Sequence, residues 1–285
     1  GLNITVGYAG LLSIGHAAFV GMGAYACALA TMAGIPLLIA LAIGAAAAFA
    51  MGIVFGLPAI RIKGVHLAIS TLAMQFTFYF IAQRWTAVTN GDNGLQPPQP
   101  ELFGLVLDTD EKLFYLILPF AILSTILAAN IFKTRLGRAF LAIRERDYAA
   151  EVLGVSAVHS KLLAFALGAA FAGLAGGLLA MFLRLVNPDQ FIVSVSVFYL
   201  TAVLVGGRGS LLGSILGATF MTLIPEILRE VVAIASGGSL SIASTLATFR
   251  EFLFGALIVI FLHVDPRGLV GIIEKFGVRI EFRGV

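Results

Sequence analysis

The sequence is poor in charge. Only 12% of its 285 residues are Asp, Glu, Lys or Arg, against roughly 25% in a soluble domain, and 60% are hydrophobic. That balance excludes an ordinary water-soluble globule, and a net charge of +3 is no nucleic-acid footprint. Cysteine is nearly absent. Cys27 stands alone in an apolar run, so an internal disulfide is excluded and the thiol reads as a small packing residue. No secretory signal peptide is visible. The apolar runs do not alternate with period two, which excludes a membrane barrel. They hold no H-E-x-x-H, no carboxylate–histidine cluster and no nucleophile–base pair. His16, His66, His159 and His263 are scattered singly. No catalytic site follows, and no deep Asp, Glu or His offers the proton relay that a proton-driven carrier needs.

What remains is a polytopic α-helical membrane protein. Apolar runs fall near 11–33, 36–58, 65–83, 113–132, 161–183, 194–206, 210–228 and 249–263; a spanning helix needs ~20 such residues. The run 194–206 is too short to cross alone and reads as a tilted short helix or half of a broken one. Small residues crowd GAAAAFAMG (44–52) and GAAFAGLAGG (168–177), the device by which lipid-embedded helices approach closely.

Loop charge orients the chain. Lys133, Arg135, Arg138, Arg144, Arg146 and Lys161 fill one connection, Arg61 and Lys63 another, and Arg267, Lys275, Arg279 and Arg283 the tail. Residues 84–112 instead carry Asp92, Glu101, Asp108, Asp110 and Glu111 against Arg84 and Lys112. Lys and Arg favour the cytoplasmic side, so 132–160 and 264–285 are cytoplasmic and 84–112 is external. The whole of 1–285 reads as one transmembrane domain. The external NGDNGLQPPQP (90–100) has turn and polyproline chemistry, and Arg184 at the outer end of its run suits snorkelling.

The stretch RLGRAFLAIRERDYAAEVLG (135–154) is the polar exception. Leu136, Phe140 and Ile143 recur at helical spacing. Asp147 is a candidate N-cap for a second short helix, Tyr148–Leu153, with Gly154 its stop. An interfacial helix on anionic lipid explains the basic residues. The interrupting Glu145, Asp147 and Glu151 and the small pair Ala149–Ala150 point instead to a protein partner. The residues alone leave both open.

Tyr148-Ala149-Ala150-x-x-x-Gly154 resembles the E-A-A-x-x-x-G motif of ABC importer permeases, with Tyr148 where Glu is usual. GYAGLLSIGHAAFVGMGAY (7–25), GRAFLAIRERDYAAEVLGV (137–155), KLLAFALGAAFAGLAGGL (161–178) and GGRGSLLGSILGA (206–218) are similar to the branched-chain amino acid permeases of the LivM type. The resemblance implies a permease subunit, not an enzyme. Its partners would be a LivH-like second permease, two cytoplasmic ATPases and an external solute-binding protein. It implies no cofactor of its own, ATP and magnesium belonging to the ATPases. It also makes Arg144, Tyr148, Ala149, Ala150, Glu151, Gly154 and Val155 the coupling residues. A helix usually precedes the first of the four stretches in that family, and the chain opens at Gly1 without a methionine, so an upstream part is expected. Related permeases move urea or other small polar solutes, and a stand-alone secondary transporter is the alternative of another class.

Two glycine-interrupted stretches, GYAGLLSIGH (7–16) and GGRGSLLG (206–213), offer Gly10, Ser13, His16, Gly206, Gly207 and Gly209 as residues flanking a solute path, since broken helices mark such paths. Ordinary membrane-edge turns account for the same glycines.

Overall fold

A computed structural model of the chain describes residues 1–102 and 105–235, with Gly255, Val259 and 268–271. The apolar run 249–263 and the tail 264–285 otherwise lie outside the described residues. The helices are α1 (His16–Met32), α2 (Leu37–Gly56), α3 (Val65–Arg84), α4 (Thr86–Thr89), α5 (Asp110–Lys133), α6 (Arg135–Val152), α7 (Ala157–Leu183), α8 (Val193–Gly206) and α9 (Leu211–Ala235). Among the described residues six segments are long and apolar enough to cross a bilayer: α2, α3, α5, α7, Pro188–Gly206 and Leu211–Val231; α1, at 17 residues, is a shorter apolar helix. This is a multi-pass membrane bundle, as the apolar runs predict. The chain divides into two compact units, Gly1–Tyr199 and the residues from Leu200 on.

In the first unit α7 is the central post, packed along α1 and α2. Lipid is as apolar as leucine, so such helices associate by close packing rather than by escape from water. The glycine-rich runs provide it: a methyl on Gly23 would strike the backbone of Gly173, one on Gly176 the Val20 carbonyl, and one on Gly44 the Gly23 carbonyl. Cys27 is buried in this seam, beside Gly44 and Gly177.

The loops collect at two ends. At the basic end Lys63, after α2, and Lys161, on α7, meet Asp147. At the acidic end Leu95 pairs with Val186 in an antiparallel bridge. A cavity of about 460 Å³ there lies between Gly34–Leu37 and Pro98–Glu101. The strand pair Glu101–Leu102 and Leu105–Val106 gives the acidic loop further structure. Arg184, at the outer end of its run, finds partners within the fold. It ends α7 in the left-handed conformation (φ 54°), and its guanidinium donates to the carbonyls of Asp108 (3.0 Å) and Leu107 (3.4 Å), fastening the acidic loop to the helix end.

The short run 194–206 is resolved by what precedes it. A 3₁₀ turn, Pro188–Phe191, extends α8 to a 19-residue span.

Candidate functional site

The polar stretch is two helices, broken at Arg146, which is extended (φ −157°, ψ 108°). Thr134 starts the first by accepting from the Leu136 amide at 3.2 Å. Of the expected stripe, Phe140 and Ile143 are buried and Leu136 is exposed. Asp147 is not the N-cap; the break falls one residue earlier. Its carboxylate instead bonds Lys161 and Lys63, each at 2.7 Å, and the Lys161 side chain is only 3% exposed. A buried ammonium requires a partner, which outweighs a cap that a solvated backbone can do without. Burial alone would raise the Asp147 carboxyl. The hydrogen bonds and charges of Lys161 and Lys63 outweigh it and hold the group below the usual carboxylate range.

The second helix stops where its sequence says. Gly154 is left-handed (φ 85°), its amide donates to the Glu151 carbonyl at 3.0 Å, and the Val155 amide donates to the Ala150 carbonyl at 2.9 Å. This is the Schellman pattern, which glycine at C′ permits without strain. The segment presents an apolar knob to solvent: Tyr148 is 80% exposed, Val152 72% and Leu153 82%. Ala149, Glu151 and Gly154 are exposed beside them, Val155 is half-buried, and Ala150 faces inward.

Arg144 reaches the first glycine interruption. A π-helix, Asn3–Tyr8, ends there, and α1 begins only at His16. Arg144 Nη1 donates to the Gly7 carbonyl at 2.6 Å. Gly10 is left-handed (φ 68°), and a methyl on it would lie 3.0 Å from Arg144 Cγ. Tyr8 stacks on Phe132 of α5 at 3.6 Å.

Starting a helix inside a bundle leaves amides without partners. Here they bond side chains of other helices. Thr71 Oγ1 accepts from the Ile14 amide (3.0 Å), Ser196 Oγ from Ala17 (2.8 Å) and Gln75 Oε1 from Ala18 (2.8 Å). Ser196 also donates to Gln75 Oε1 at 3.3 Å, and Gln75 Nε2 donates to the Phe191 carbonyl. Ser13 and His16 are buried, and Ser13 Oγ and His16 Nδ1 have no hydrogen-bond partner among the described residues. Sequence reasoning missed Thr71, Gln75 and Ser196. The signal was there: Thr71, Gln75 and Tyr79 repeat at i, i+4, i+8, a polar stripe on an apolar helix.

The second glycine stretch, in the other unit, is a hairpin turn. Gly206 closes α8, Gly207 (φ 120°) and Gly209 (φ 77°) turn the chain, and α9 starts at Leu211. A methyl on Gly206 would strike the Gly213 carbonyl, and one on Gly217 the Ala202 carbonyl, so the glycines permit both the turn and the close pairing of α8 with α9.

The family model described as branched-chain amino acid transport system / permease component matches residues 1–262. The chain is 32% identical to the high-affinity branched-chain amino acid transport system permease protein LivM of Escherichia coli K12, over 95% of this chain and 66% of that protein; it therefore spans just under two thirds of that relative's length. It is 24% identical to a probable LivM of Methanocaldococcus jannaschii over 82% of this chain and 68% of that protein. It is 28% identical to LivH of Escherichia coli K12 over 66% of this chain and 59% of that protein. No solved structure matches. A bundle of spanning helices, a glycine-broken first segment and a polar helix pair bonded to that break thus go with a match over most of the sequence: the chain belongs to the branched-chain amino acid transport permease family.

Proposed function

We propose that this chain is a permease subunit of an ATP-driven importer, carrying branched-chain or related hydrophobic amino acids handed to it by an external solute-binding protein. It pairs with a LivH-like permease and two cytoplasmic ATPases, which hold the ATP and magnesium. The observation that carries this reading is the projecting knob of Tyr148, Val152 and Leu153. Three large apolar side chains on so short a helix, fixed at one end by Asp147 and at the other by Gly154, form a rigid plug for a protein groove. A lipid-seeking helix would align its apolar residues with the bundle's apolar belt; these follow Asp147, which is bonded to Lys63 and Lys161 at the basic end.

Arg144 then links dock to path. It sits three residues before Asp147 and holds the Gly7 carbonyl at the end of the first segment, so displacement of the docked helices pulls on the interruption between Tyr8 and His16. Beside that interruption Ser13 and His16 offer unpartnered polar atoms to a passing solute, which in an apolar bundle must find hydrogen-bonding groups at depth.

The test is copurification of the ATPases with Leu153→Glu and Gly154→Arg. Leu153→Glu places a charge in the plug. Gly154→Arg adds bulk where a left-handed residue other than glycine is strained by about 1–2 kcal/mol. Gly154→Ala carries the strain without the bulk. The ATPases are expected to be lost from the first two and retained by Gly154→Ala. Leucine uptake by a complex containing no ATPase would overturn the reading.

A further inference from the structure

Asp189 is the second residue of a spanning segment, Pro188–Gly206, in the 3₁₀ turn at its start, and it is exposed. Among the described residues no cationic side chain pairs with it. Its Oδ1 accepts from the Tyr79 hydroxyl at 2.9 Å. A carboxylate at the end of such a segment faces water or a partner subunit, because lipid would not solvate it. Around it lie polar atoms the fold leaves unused. Tyr25 is only 5% exposed, and its buried hydroxyl has no partner among the described residues. Asn187, two residues before Asp189, has a buried Oδ1 that is likewise unpartnered. Beneath them Tyr25 packs near Phe78 and Phe191, ring centres 6.4 and 6.2 Å away, across Gly21, where a methyl would strike both phenylalanines. That aromatic floor keeps water out from one side, which strengthens charge recognition above it. The Phe191 carbonyl is held by Gln75, which also caps α1.

We propose that the Asn187–Asp189 turn, with Tyr25 and Tyr79, is an ammonium-recognising site at the acid-lined mouth of the path, selecting solutes that carry a protonated amino group. The chemistry matches: an ammonium has three donors and no acceptor. At the surface the site offers the Asp189 carboxylate and the Tyr79 hydroxyl oxygen as acceptors; the Tyr25 hydroxyl and Asn187 Oδ1 are buried acceptors that no described group uses. A neutral solute such as urea has no charge for Asp189 to recognise. The assignment rests on the permease reading and sharpens it, since it separates amino acids from uncharged solutes by a feature of this chain.

The test uses the full transporter, both permeases with ATPases and solute-binding protein, reconstituted in lipid vesicles. Leucine and urea uptake are measured for the wild type, Asp189→Asn and Asp189→Glu, with subunit copurification as the control for assembly. Leucine uptake by the wild type supports the permease reading independently of Asp189. With assembly unchanged, Asp189→Asn is expected to lower leucine turnover about tenfold, the scale of one lost charge-assisted hydrogen bond, and Asp189→Glu to restore most of it. Leucine turnover in Asp189→Asn within twofold of the wild type overturns the site, as does equal impairment of Asn and Glu variants. Wild-type vesicles that take up urea but not leucine overturn the site and the proposed substrate together.

Discussion

At the residue scale, one carboxylate ties the polar helix pair to the bundle. Asp147 compensates Lys161, whose side chain is 3% exposed, and also bonds Lys63, which is 68% exposed. The two partners differ in what their loss costs. Removing one member of a buried pair strands the other and costs about 3 kcal/mol or more, whereas a solvated lysine contributes less than about 1 kcal/mol. Asp147→Asn is therefore expected to destabilise the purified protein clearly in thermal unfolding, and Lys63→Ala barely. A folded-state carboxyl held below its unfolded value stabilises fully above the ordinary carboxylate pKa of about 4 and loses that contribution as pH falls through the lower folded value. The gap between wild type and Asp147→Asn should thus be constant from about pH 5 to 8 and close in stronger acid. An unchanged gap in strong acid would remove Asp147 ionisation as the cause.

At the element scale, local signals were legible and distant ones were not. The second polar helix ends at Gly154 because helix stops are written within six residues: a left-handed glycine and two amides that fold back on Glu151 and Ala150. The break one residue before Asp147 was half legible. The sequence marked Asp147 as special but named a capping role, because the competing partners, Lys63 and Lys161, are remote in sequence. The start of α1 was less legible still. Its apolar run begins near Leu11, but the helix begins at His16, and the amides of Ile14, Ala17 and Ala18 bond side chains from α3 and from residue 196. Gln75 carries the most there. Gln75→Leu leaves the Phe191 carbonyl without its partner, at about 1–3 kcal/mol, and leaves the Ala18 amide only the longer bond to the Gly15 carbonyl (3.2 Å). It is expected to increase hydrogen exchange at the first turn of α1 and to leave the dock helices unaltered. Unchanged exchange there would mean that water replaces the amide without cost.

At the scale of the whole molecule, membership in the permease family and the multi-pass helical class were readable from composition and motif. The seam that organises the first unit was readable only as a tendency toward small residues. The structure turns the tendency into particular contacts: Gly23 on Gly173, Gly176 on the Val20 carbonyl. A leucine at Gly173 would have to enter space held by α2 backbone and Ala48. Overpacking of that kind costs about 1–3 kcal/mol or more where backbone cannot yield. Gly173→Leu is expected to lower the yield of folded protein in the membrane, whereas Gly34→Ala, at an exposed turn with open space around it, costs only its backbone strain. Equal yields for Gly173→Leu and wild type would show that α2 can move away from α7.

The bond from the Ala17 amide to Ser196 spans 179 residues. Ribosomes add about 5–20 residues per second, so α1 enters the membrane roughly 10–35 s before the residue that completes its first turn has been made. During that interval the beginning of the protein waits for a later part of itself, its open amides available to water, lipid headgroups or a chaperone. A ribosome stalled before Ser196 would leave the insertion machinery holding a helix that cannot yet be finished.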